Sequence, residues 1–139
     1  MLGELVQLHF YKIMQTRAYT VVVLGTEEKQ FAIYTEPSVG RTLQLTLTGA
    51  ERPRPLTHDL IDSVFKGLDV RVKQIVINNR EESTFFARLY LEQQTEEMRH
   101  ILEIDARPSD CITLALMHHA PVYCTREVLD NVMALEEES

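Results

Sequence analysis

The chain has 139 residues, 45% hydrophobic and 25% charged, an ordinary globular balance for a single domain able to bury a continuous core. Its formal charge of -7 and pI near 5.2 exclude the broad basic surface typical of proteins that grip phosphate backbones non-specifically, leaving only local patches such as Arg52 with Arg54, or Arg71 with Lys73. No apolar run approaches the roughly 20 residues of a membrane span, the N-terminus lacks the features of a secretory signal, and Cys111 and Cys124 form no CxxC pair; a soluble cytoplasmic protein with buried free thiols and no membrane partner is expected.

From Glu4 to Met14, ELVQLHFYKIM alternates polar and apolar side chains as a strand does. AYTVVVLG is β-branched and ends at Gly25, TEEK supplies a polar turn, and QFAIYT follows, so the first three strands form a meander. EPSVGRTLQLTLTG places Pro37 in a first helical turn and spaces Val39, Leu43 and Leu47 by four, which predicts a helix. GAERPRP is a loop, because each proline removes an amide donor and pushes its predecessor toward extended geometry. A helix of about three turns should then begin, with Thr57 as N-cap, Asp59 in the first turn, Gly67 near the stop, and Leu60, Ile61, Val64, Phe65 and Leu68 on one apolar face.

VRVKQIVINN and STFFARLYLEQQ alternate as two strands of a hairpin closed by REES, and RHILEIDA supplies a third strand after TEEM. RPSDCITLALMHHA predicts a helix with Pro108 at its first position and an end near His119. PVYC is a brief strand, and TREVLDNVMALEEES a last helix capped by Thr125 that frays into an acidic tail. Strands joined by hairpins and meanders, packed with four helices, make the fold class α+β, mostly antiparallel, in one domain spanning 1–139.

Two polar constellations stand at predicted helix entrances: Arg54, Thr57, His58 and Asp59, and then Asp105, Arg107, Ser109 and Asp110. A histidine can act as general acid or base, carboxylates can hold a hard divalent cation, and arginine can neutralise charge on a phosphate; together these are the parts of a phosphodiester hydrolase. Every part also has a structural use: Thr57 and Asp59 suit any helix start, and Arg107 could pair with Asp59 or Asp105 to fix two helix ends. Other signals point to structure. There is no HExxH motif and no Gly-rich phosphate loop, Ser109 lacks a GxSxG context, and Cys111 abuts an apolar run that favours packing. His118 and His119 are neighbours that face different directions on a helix, and His9 and His100 stand alone on separate strands. Exposed edges of such a sheet are usually covered or paired, which makes a symmetric homodimer the expected assembly.

At PRPLTHDLI and EIDARPSDCITLALMHHAPVY the sequence closely resembles the bifunctional nuclease domain family, small bacterial and plant proteins to which cleavage of both DNA and RNA is ascribed. The resemblance runs from roughly the second strand through the last helix, and implies an α+β fold, a dimer and nuclease activity on DNA and RNA. The matching positions are Pro53, Arg54, Pro55, Thr57, His58 and Asp59 in the first motif and Asp105, Arg107, Pro108, Ser109 and Asp110 in the second. On this reading His58, Asp59, Arg54 and Arg107 are the catalytic candidates, and Arg52, Thr57 and Ser109 bind substrate. Asp105 and Asp110 would hold a divalent metal, Mg or Mn, inferred from the reaction class. The chain departs from the family at AIYTEPSVG, where the family usually reads like PIxIGxxEG: Thr35 and Glu36 replace Ile-Gly, and Val39 stands where an acidic residue is common. That departure keeps a second reading open, a non-catalytic dimeric binding or regulatory module.

Overall fold

A computed structural model describes residues 3–135. The elements follow the expected order: β1 (Leu5–Gln15), β2 (Thr20–Gly25), β3 (Gln30–Thr35), α1 (Pro37–Thr48), α2 (Thr57–Gly67), β4 (Val70–Glu81), β5 (Thr84–Gln94), β6 (Arg99–Ala106), α3 (Pro108–Met117), β7 (Val122–Thr125) and α4 (Arg126–Asn131). The fold class is α+β. All strands join one seven-stranded sheet in the order β3-β2-β1-β7-β4-β5-β6. Every pairing is antiparallel except that of β7 with β4, where the chain, returning from α3, slots four residues between β1 and β4.

β1 serves two partners. Leu5 to Leu8 pair with β7 and His9 to Gln15 with β2, with a register shift between Phe10 and Lys12. A bulge there bends the strand and increases its twist. β2 and β3 therefore curl over the core, and the rings of Phe31 on β3 and Phe85 on β5 stack at 5.8 Å although four strands separate them in the sheet. All six residues of β2 are buried, which is why TVVVLG reads as a continuous apolar run rather than an alternating one.

α1 packs on β1 and β2, α3 on β4 and β5, and both α1 and α2 pack against α3. α3 is the central helix, with Ser109 and the run from Cys111 to Ala115 buried. Gly40 lets α1 approach the sheet closely, because a Cβ at that position would collide with the side chains of Thr20 and Gln15.

Pro37 and Pro108 occupy first-turn positions as expected, and Thr125 caps α4 by accepting from the Val128 amide at 3.2 Å. The start of α2 differs from the expectation. Leu56 holds the N-cap position with extended backbone, Thr57 is the first helical residue, and Asp59 Oδ2 accepts the Leu56 amide at 2.8 Å. The carboxylate two residues into the helix reaches back further than a threonine hydroxyl at the first helical position can. The single apolar face expected for α2 is also split: Ile61 and Phe65 pack against the core, whereas Leu60, Val64 and Leu68 are 60%, 50% and 56% exposed. The β4–β5 hairpin turns on Glu82 and Ser83, with Glu82 in the left-handed region at φ 56. α4 ends at Asn131, earlier than expected; the tail EEES lies outside the described residues. Among the described residues no helix is long and apolar enough to cross a membrane.

Candidate functional site

Three helices begin at one place. An open cavity of about 790 Å³ takes its wall from the entrance of α1 (Glu36, Ser38, Val39), the entrance of α2 (Leu56, Thr57, His58) and the entrance of α3 (Arg107, Asp110), together with Leu89 on β5 and Ile104 and Ala106 on β6. In none of these helices does the N-cap side chain satisfy a first-turn amide. The positive ends of three helix dipoles therefore lie at the cavity wall.

His58 is only 8% exposed, and its Nε2 lies 2.9 Å from Asp110 Oδ1. Arg107 Nε donates to the other oxygen, Oδ2, at 2.9 Å. The hydrogen bond from His58, helped by Arg107 and opposed by burial, holds the Asp110 carboxyl down at about 2. An ionised Asp110 accepts the Nε2 proton, so a neutral His58 keeps its lone pair on Nδ1, which has no hydrogen-bond partner among the described residues. Arg107 Nη1 also lies 3.9 Å from Glu36 Oε1. Arg41, on the cavity wall, is exposed and makes no ion pair among the described residues.

His58, Thr57, Arg107 and Asp110 are thus brought together, and the other expected residues are placed elsewhere. Asp59 caps α2 and lies 3.3 Å from Arg52 Nε, while Arg52 Nη2 donates to Thr46 Oγ1 at 2.9 Å, so this pair ties the end of α1 to the start of α2. Arg54 is exposed in the preceding loop, off the cavity wall. Ser109 is buried on α3 and borders a smaller neighbouring cavity of about 310 Å³, shared with Glu36 and Arg107. Arg107 pairs with Asp110 and Glu36, not with Asp59 or Asp105, because its own helix turn presents Asp110 three residues on.

Asp105 does not join Asp110. Ile104 and Ala106 line the cavity, so strand alternation sends the exposed Asp105 to the other face of β6, opposite Arg88. Among the described residues no group of three or more His, Cys, Asp or Glu is arranged to hold a metal ion. In the expected basic pair Arg71 and Lys73, the register shifts between Val72 and Gln74, at Lys73. Arg71 shares the carboxylate of Glu92 with Arg99, at 2.8 and 2.7 Å.

The site residues that sequence reasoning missed are Glu36 and Arg41. Glu36 precedes Pro37 as Arg107 precedes Pro108, so its helix entrance carried the same kind of signal as the other two. Val39 is buried against the cavity and contributes an apolar wall. His118 plays the structural part expected of it: its Nε2 lies 2.8 Å from Asp62 and joins the end of α3 to α2. Burial pushes the Cys111 thiol up to about 12, which agrees with packing rather than reactivity.

Comparison with known proteins bears on this arrangement. The family model for the bifunctional nuclease domain matches residues 22–137, a span that contains all three helix entrances. Among curated proteins, the chain is 32% identical over 102 residues to Uncharacterized protein MT1877 of Mycobacterium tuberculosis strain CDC 1551 and to Uncharacterized protein Rv1829 of strain H37Rv. The match covers 73% of this chain and 58% of each relative, so the chain spans little more than half their length.

Proposed function

The chain belongs to the bifunctional nuclease domain family, and on that premise we propose that it hydrolyses phosphodiester bonds of DNA and RNA at the mouth of the cavity where α1, α2 and α3 begin. The observation that carries this reading is the His58–Asp110 pair at 2.9 Å. Asp110 fixes the ring and its tautomer; Nδ1 then takes a proton from the attacking hydroxyl or water, and the resulting imidazolium can return it to the leaving oxygen. Arg107 and Arg41 offset charge gathering on the phosphoryl oxygens, reinforced by the first-turn amides. Arg41 and the three helix N-termini are the positive elements through which a chain of net charge -7 would meet a polyanion.

A divalent cation, Mg or Mn, remains an expectation of the reaction class. Both Asp110 oxygens are already engaged by His58 and Arg107, and Asp105 faces away, so the expected ligand pair does not fit a metal and no step is routed through one. The assay is cleavage of single- and double-stranded DNA and RNA, with Mg²⁺, with Mn²⁺ and with a chelator. The parent should cut, and His58→Ala should lose roughly 10²-fold or more. A folded parent that cuts none of these substrates under any condition refutes the proposal.

A second reading, a non-catalytic dimeric binding or regulatory module, is favoured by the same saturation of Asp110. It predicts binding without cleavage. The exposed edge of β6 and the outward row Leu60, Val64 and Leu68 offer surfaces on which two copies could associate, as expected of a homodimer; mass measurement in solution decides this.

A further inference from the structure

Apart from its polar residues the cavity is lined by apolar side chains. Leu45, Ile61, Phe65, Leu89, Ile104 and Leu114 line it, and its volume of about 790 Å³ falls within the range of about 300–1,000 Å³ usual for small-molecule sites. Phosphoryl transfer needs positioning and charge stabilisation, both supplied at the mouth, and has no use for an apolar chamber of this size. A nucleobase is a poor occupant of the apolar part, because its edge donors and acceptors would lose water against Leu45, Ile61, Leu89, Ile104 and Leu114.

The mouth has the opposite chemistry. Arg41 makes no ion pair among the described residues, Arg107 also lines the cavity, and three helices begin there without a side-chain cap, so their positive dipole ends lie at its wall. We infer that the cavity binds a single-tailed amphiphilic anion, with the aliphatic tail between Ile61, Leu89 and Ile104 and a carboxylate or phosphate head at Arg41 and Arg107. The apolar lining selects the tail, and Arg41, which no carboxylate among the described residues pairs, selects the head, with Arg107 shared between the ligand and its own partners Asp110 and Glu36. The head occupies the place assigned above to the scissile phosphate, so such a ligand would compete with a nucleic-acid substrate. The binding itself requires no cleavage.

The test is calorimetric titration of the whole chain with hexyl, octyl and decyl phosphate, and separately with the carboxylates of the same lengths, all below their critical micelle concentrations. Affinity should rise roughly fourfold per methylene until the chamber is full. Inorganic phosphate and a nucleoside monophosphate should bind at least tenfold more weakly than decyl phosphate. Arg41→Gln, at an exposed position, should weaken every alkyl anion about fivefold or more while preserving the chain-length ladder, and Ala106→Phe should shorten the ladder by filling the chamber. Leu60→Ser, on the outward row of α2, should leave it unchanged.

The two head-group series separate a fatty carboxylate from an alkyl phosphate, and a ladder in either supports the inference. Affinity independent of chain length, a nucleoside monophosphate that binds more tightly than decyl phosphate, no effect of Arg41→Gln, or loss of the ladder in Leu60→Ser would overturn it. If Ala106→Phe does not fold by circular dichroism, the parent, Arg41→Gln and Leu60→Ser titrations still decide. Because the readout is binding, a nuclease assay that fails leaves this result intact, and the reverse also holds.

Discussion

His58 Nε2 sits 2.9 Å from Asp110 Oδ1, joining the first turns of two helices whose residues are 52 apart in the chain. That contact brings two helix entrances together in one candidate site. If it orients His58 for proton transfer, Asp110→Asn should lower cleavage by about 10² or more while the protein stays folded, and should alter the pH profile as well as the rate. Equal rates in parent and variant would remove the pair from the chemistry.

The same contact has a signature in stability. Asp110 titrates at about 2 in the folded chain against an ordinary 3.8, so its contribution is complete above about pH 3.8 and is lost as pH falls through about 2. Partial exposure to solvent reduces the effect to about 1 kcal/mol. Urea unfolding of parent and Asp110→Asn should show a gap of that order at pH 5 that closes toward pH 2.

Asp59 separates chemistry from capping. Its carboxylate accepts the Leu56 amide at 2.8 Å and pairs with Arg52 at 3.3 Å, outside the cavity wall. Asp59→Ala should cost about 1 kcal/mol in a denaturation curve, as loss of a helix cap does, and leave cleavage per folded molecule within about twofold. A rate loss as large as that of His58→Ala would return Asp59 to the catalytic group.

Gly40 tests how closely α1 must sit on the sheet. A methyl group there meets Thr20 and Gln15, and Thr20 is fully buried. Gly40→Ala should therefore destabilise by about 1–3 kcal/mol despite the better helix propensity of alanine, whereas Gly67→Ala, with open space around it, should be neutral or stabilising. Thermal unfolding of the two variants makes the comparison.

The thiols provide a reactivity check. Burial pushes Cys111 up to about 12 and Cys124 up to about 11. Neither should react with a maleimide at pH 7 in the native protein, and both should react at once in denaturant, as followed by mass spectrometry. Fast native labelling of Cys111 would show that α3 opens.

The sequence by itself determined the element order, the α+β class and the proline-led helix entrances, because these rest on short-range causes: the periodicity of apolar side chains, the missing amide of proline and the turn residues between runs. It also singled out His58, Arg107 and Asp110, since polar groups at a helix start are visible one motif at a time. What it could not decide was which polar groups meet. The Asp59 cap, the Arg52 clamp, the orientation of Asp105 away from the cavity and the arrival of Glu36 and Arg41 at its rim all depend on register and helix docking, which relate residues many tens of positions apart. The parallel insertion of β7 between β1 and β4 is of the same kind: four residues carry too little pattern to name their neighbours, and only burial of the assembled sheet selects them.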